Sequence, residues 1–174
     1  MHSRTMPAAV SAVAVLAVAG CAVAVCAVAG WAAPAAAAPD AGPWPDTRYF
    51  DRVDSAEFVV PGADGRWFIA ANGQNCGIWG PGSVACAGDI PGAPPGTRAL
   101  GWVAGDRSMH YDHTVAVRMP ATRARVGLAP RTVIEHNGTT CAVTAETGTY
   151  CERGPLRFLL TPAGSWLTPP WMDI

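Results

Sequence analysis

From residue 56 onward, apolar and β-branched positions come in short runs: "EFVV", "RWFIAA", "CGIW", "SVACA", "ALGWVA", "HTVAVRM", "RTVIEH", "TTCAVT", "GTYCE" and "LRFLLT". Turn residues cut every run. Pro61-Gly62, Asp64-Gly65, Asn72-Gly73, Pro81-Gly82, Pro91-Gly92, Pro95-Gly96, Asn137-Gly138 and Gly154-Pro155 supply the punctuation. Gly and Asn in such pairs accept the positive φ of tight turns, so each run reads as one strand of a hairpin or meander. The pattern predicts about ten short strands. The fold class is therefore all-β, a small sandwich or barrel-like domain of short antiparallel strands with two disulfide-stapled hairpins, preceded by an N-terminal signal helix. No stretch after residue 39 keeps a helical period over three turns. Residues 121–129, "ATRARVGLA", predict one short turn of helix at most.

One string is written twice. "NGQNCGIWGPGSVAC" spans positions 72–86, and "NGTTCAVTAETGTYC" spans positions 137–151. Asn-Gly between strand-like residues predicts a two-residue type I′ hairpin. With that turn at Asn72-Gly73, Ile69 faces Cys76 and Trp67 faces Ile78. A second fold at Gly80-Pro81-Gly82 sets Ile78 opposite Val84 and Cys76 opposite Cys86. One face then holds Trp67, Ile69, Cys76, Ile78, Val84 and Cys86. The other holds Arg66, Asn75 and Gly77, with Phe68. A slip of one residue would invert the set. In the second copy Ile134 faces Cys141, and Cys141 faces Cys151. Residues 66–86 and 131–151 read as duplicated hairpin units.

Six cysteines occur, of which Cys21 and Cys26 lie in the N-terminal apolar run. Cys76, Cys86, Cys141 and Cys151 remain, an even number, and the hairpin register pairs Cys76 with Cys86 and Cys141 with Cys151. Each bridge closes a loop of about eleven residues, worth roughly 2–3 kcal/mol in the loop-entropy account. Zinc would want C-x₂₋₄-C spacing, and thiol redox catalysis would want C-x-x-C; neither is present. The first bridge is expected to matter more, because Trp67, Ile69, Ile78 and Val84 flank it, whereas Thr132 and Thr149 flank the second.

The N-terminal segment bears on where this domain works. A short basic start (His2, Arg4) precedes an uncharged run from Met6 to Ala38 that ends in small residues. That layout is a secretory signal with cleavage near Ala35–Ala38. Two other readings exist. "VAGC", residues 18–21, resembles a lipobox that would lipidate Cys21, and the run is long enough for an uncleaved anchor. All three put the rest of the chain outside the cytoplasm. Residues 1–38 are thus a signal peptide or signal anchor, 39–55 an extended lead-in, and 56–174 one β-rich domain. The membrane is a partner only through the N-terminal segment.

Charge excludes little else. All twelve basic residues are Arg, the net charge is −1, and acids are spread along the chain. This is not a nucleic-acid footprint, which needs a clustered basic surface. Arg118, Arg123, Arg125 and Arg131 fall together with no acid between them. They read as a solvated edge, with an anionic envelope polymer as the alternative partner. The segment "HYDH" (His110, Tyr111, Asp112, His113) offers two imidazoles and a carboxylate, but a strand would turn His110 and His113 to opposite faces. Asp106, Ser108 and His110 are the residues from which a loop-built hydrolase would draw. Six of the seven Trp lie beyond the N-terminal run (Trp44, Trp67, Trp79, Trp102, Trp166, Trp171) and read mainly as packing, with Trp67 and Trp102 in the core. Asn137-Gly138-Thr139 reads as a turn rather than a glycosylation site. No nucleophile elbow, HExxH, Walker loop or dinucleotide fingerprint is present, and no cofactor is expected.

The stretch "NCGIWGPGSVACAGDIPGAPPGTRALGWVAGDRSMHYD" together with "GTTCAVTAETGTYCERGPLRFLLTPAGSW" resembles a group of small exported proteins of mycobacteria and related actinobacteria. The likeness covers about residues 60–167. It implies export and two disulfides and transfers no catalytic or ligand residue. The expectation is an exported, non-catalytic cell-envelope or extracellular domain that binds a partner or ligand. A small extracellular hydrolase using loops around 106–110, and a metal-binding protein using the HYDH segment, are the alternatives.

Overall fold

The computed structural model describes residues 42–111 and 113–169, the side chains of His113 and Thr114 excepted. The expected signal helix, Cys21, Asp112 and Trp171 lie outside them. In chain order the strands are β1 (Asp51–Arg52), β2 (Arg66–Ile69), β3 (Asn75–Trp79), β4 (Ser83–Ala87), β5 (Ala99–Trp102), β6 (Thr132–His136), β7 (Thr139–Val143), β8 (Thr149–Arg153), β9 (Leu156–Thr161) and β10 (Gly164–Thr168). They make two sheets, ordered β2-β3-β4-β5 and β1-β6-β7-β8-β9-β10. Every pairing is antiparallel except that of β1 with β6. Each repeat thus becomes a meander in its own sheet, and the fold is an all-β sandwich.

The sheets meet over one apolar core. Phe68, Cys76, Ile78, Val84, Cys86, Leu100 and Trp102 come from the first sheet, and Ile134, Cys141, Val143, Cys151, Phe158 and Leu160 from the second. Trp102 meets Phe158 edge-on, with ring centroids 5.8 Å apart. Cys76 is bonded to Cys86 and Cys141 to Cys151, each pair directly opposite across the second and third strands of its meander. Both bridges lie wholly inside the core. Two intramolecular disulfides suit a domain that folds in an oxidising, extracytoplasmic setting. Among the described residues, no helix is long and apolar enough to cross a membrane.

The second repeat has the register its Asn-Gly predicts. Ile134 faces Cys141, and Asn137 and Gly138 carry φ of 49° and 75°, the type I′ signature. The first repeat does not. Phe68, not Ile69, faces Cys76, and Trp67 faces Gly77. The hairpin closes with Ala70 N–H on the Gln74 carbonyl, so positions 71–73 form the loop, with Gly73 at φ 80°. The extra loop residue inverts β2. Phe68 enters the core, Ile69 is 37% exposed, and Trp67 goes to the outer face. The outer face can hold an indole because Gly77 has no side chain: a Cβ there would collide with the Trp67 ring. Repeat positions 69 and 134, matched in sequence, are therefore not equivalent in space.

The outer faces are covered too. Trp67 stacks on Trp79 (6.1 Å, 12°) and packs with Ala85, Ala99, Val115 and Ala124. Val115 belongs to a short helix, α1 (His113–Arg118), where alternation in "HTVAVRM" predicts a strand. Helical spacing there puts Val115 and Met119 one above the other on the sheet, and the Met119 N–H bonds the Val115 carbonyl at 2.8 Å. "EFVV" likewise starts as a 3₁₀ turn, Ser55–Phe58, capped by the Asp54 side chain. Residues 121–129 are extended rather than helical, touching β2 through Ile69 and Gly127. On the other sheet, Trp44 and Phe50 of the lead-in lie over Val133, Ala142, Tyr150 and Leu159.

Candidate functional site

One row of residues crosses all four strands of the first sheet on its outer face: Ile69, Asn75, Ala87 and Ala99, each the register partner of the next. At a strand spacing of about 4.8 Å, the row is about 14 Å long. Three of its members are apolar and two of those are alanine, so the floor is low where Trp67 and Trp79 do not fill it. A furrow runs along this row. Its larger lobe, about 750 Å³, is floored by Ala87 and Ala99 and walled by Pro94, Pro95, Ala116, Val117 and Met119. The second lobe, about 680 Å³, shares Ala87, Ala116 and Met119 and continues over Asn75 and Ile69 beneath the strap 120–124.

Asn75 holds the strap in place. Its side-chain amide donates to the Thr122 carbonyl (2.9 Å), and its carbonyl oxygen accepts from the Ala124 N–H (2.7 Å). Both ends of the side chain are thereby committed to backbone. The sequence shows Asn75 only as a polar outer-face position, and nothing in its neighbourhood signals so distant a partner. The Thr97 hydroxyl donates to the Pro94 carbonyl (2.7 Å), closing the loop that walls the larger lobe. Tyr111 also lines this lobe, and burial pushes its phenol pKa up.

Of the four clustered arginines, Arg123 and Arg125 come together around a third depression of about 450 Å³, and Arg123 also lines the second lobe. Arg118 ends α1, exposed. Arg131 stands apart at the foot of β6, its backbone bonded to Asp51 and Val143. Arg98 lines the larger lobe. Among the described residues, Arg98, Arg123 and Arg125 form no ion pair. Among those residues, too, no Asp or Glu lines either lobe or the third depression.

The other candidate residues assemble less. His110 Nε2 and Asp106 Oδ2 are 3.2 Å apart, both half-buried, and the same Asp106 oxygen accepts the Val103 N–H at 2.7 Å. Asp106 lines a depression of about 500 Å³ with Arg107, Arg153 and Leu156, but Ser108 and His110 do not. No hydrogen bond among the described residues joins Ser108 to His110. For the HYDH segment, Asp112 and the side chain of His113 lie outside the described residues. Within those residues no three His, Cys, Asp or Glu side chains gather as metal ligands. Trp67 and Trp102 are fully buried, and Trp44 sits between Tyr150 and the Arg157 guanidinium. Trp166 on β10 is 38% exposed. Compared with known proteins, the chain matches no family model, no curated protein and no solved structure.

Proposed function

We propose that this chain is an exported, non-catalytic domain, secreted or held in the cell envelope, that binds a ligand in the furrow beside α1. The supporting observation is the furrow itself. It is concave, its larger lobe is mostly apolar, each lobe has the size of an ordinary ligand pocket, and its floor is a sheet stapled by a disulfide. A rigid floor with a wall of short helix and strap is suited to holding a ligand rather than to moving protons.

The test is a thermal melt of the chain in envelope extract from an exporting host. The extract is expected to raise the Tm of the wild type and to leave that of Val117→Glu unchanged, because ligand binding stabilises only the folded state that can hold it. Val117 is 78% exposed, so the substitution should change stability by no more than about 0.5 kcal/mol. A hydrolase is the second reading, favoured by the Asp106–His110 pair. Ester turnover that disappears in Ser108→Ala or His110→Ala would establish it and sink the binding account.

A further inference from the structure

Resting on the furrow as the binding region, we propose that its ligand is an anionic single-chain amphiphile. The acyl chain lies along the row Ile69–Asn75–Ala87–Ala99 into the larger lobe, and the headgroup meets Arg123 and Arg125.

Three observations carry this. The first is shape. The two lobes share Ala87, Ala116 and Met119 and follow a row that crosses four strands, so the furrow is elongated and suits a chain better than a compact ring system. The second is the state of its polar groups. A peptide laid in the furrow would bury backbone N–H and C=O groups that need partners. Two polar side chains of the floor and wall are already used, Asn75 by Thr122 and Ala124 and the Thr97 donor by Pro94, which leaves cationic donors but no free side-chain amide to pair a peptide's N–H groups. An acyl chain makes no such demand, and every methylene it buries favours binding. The third is charge. Arg123 and Arg125 stand at the strap end, form no ion pair among the described residues, and face no carboxylate in the described lining. Guanidinium groups left in this state match a phosphate or carboxylate head. Arg98, at the rim of the other lobe, can lay its aliphatic stem along the chain while its head stays in water.

The experiment is a titration of the chain, recovered from an exporting host, with dodecyl phosphate below its micelle concentration. Dodecyl maltoside and inorganic phosphate serve as the separated tail and head. Dodecyl phosphate is expected to bind saturably and at least about tenfold more tightly than dodecyl maltoside, with inorganic phosphate alone showing no saturation. Arg123→Glu with Arg125→Glu should weaken dodecyl phosphate about tenfold or more and leave dodecyl maltoside unchanged. Val117→Glu should weaken both, and Val117→Arg should spare dodecyl phosphate. Equal binding of the two detergents, insensitive to the arginine variant but lost in Val117→Glu, would overturn the anionic class and leave the furrow as the site. Dodecyl phosphate binding that Val117→Glu does not change, or no saturable binding at all, would overturn both.

Discussion

The side-chain amide of Asn137 donates to the carbonyl of Gly80 at 2.6 Å, so the hairpin turn of the second repeat grips the second turn of the first. Gly82 reinforces the joint, its carbonyl accepting from Thr139 Oγ1 (2.8 Å) and Trp102 Nε1 (3.0 Å). Arg153 closes it from outside by donating to the Asn137 carbonyl. One residue therefore has two roles. Asn137 accepts the left-handed backbone of its turn at φ 49° and ties the two sheets together at one end. Asn137→Gly keeps the first role and loses the second, and should cost about 1 kcal/mol. Asn137→Ala loses both and should cost about 2–3 kcal/mol. Urea unfolding of the two variants measures the difference; a glycine variant as stable as wild type would show the tie contributes nothing.

The inverted register of β2 makes a contrast between neighbours. Phe68→Ala should lose about 3–5 kcal/mol, the cost of an aromatic deleted from a core. Ile69→Thr should change stability by no more than about 0.5 kcal/mol, since the side chain is surface-exposed. Gly77→Ala should lose about 1–3 kcal/mol by pushing the Trp67 ring off the sheet. The same urea melts decide between registers, because a β2 with Ile69 inward would exchange the first two results.

These positions show how much is legible in the chain. The all-β class, the register of the second repeat and both disulfides follow from Asn137-Gly138 and the spacing of the cysteines. Turn length in the first repeat does not, because Asn72-Gly73 serves a two-residue turn or the end of a longer loop. What settles it is a long-range fit: Trp67 finds its space over Gly77 on the outer face, and Phe68 takes the inner position beside Cys76. The helix α1 is hidden for a similar reason. Valines at 115 and 117 alternate like a strand, yet Val115 is buried and Val117 exposed on a helix whose packing partners, Ala85 and Ala99 among them, lie well back in the chain. The furrow has no sequence signal at all, since its floor comes from four strands and its strap is pinned by Asn75.

The two bridges should be close to equal in worth. The first-copy advantage expected from Trp67 and Ile69 vanishes with the register, since neither faces Cys76. Phe68 and Leu100 flank the first bridge across the strands, and Ile134 and Phe158 flank the second. Both pairs have the same sequence separation, 10. The double variants Cys76→Ser/Cys86→Ser and Cys141→Ser/Cys151→Ser should each lose about 3 kcal/mol. Chemical denaturation with matched m-values checks this. A gap of more than about 2 kcal/mol between them would mean native packing, not loop closure, sets their contribution.

Acid should weaken the fold through His136. Burial, with the Arg66 charge second and Asp64 partly opposing, holds this imidazole below its ordinary pKa of 6.5. Below about pH 6.5 the unfolded chain takes a proton that the folded His136 refuses, so stability is full above that pH and falls as pH drops toward the lowered value. His136→Asn removes the group and should flatten the stability profile just below about pH 6.5. An unchanged slope would assign the acid sensitivity to other groups.

The binding account meets its most direct test in an amide NMR titration of the chain with dodecyl phosphate. The expected result is a set of shifted resonances confined to Asn75, Ala87, Ala99, Ala116, Met119 and Arg123, which follow the furrow from strap to larger lobe. Shifts centred instead on Gly105, Asp106, Arg153 and Gly154 would place the ligand in the depression beside the Asp106–His110 pair and contradict the account.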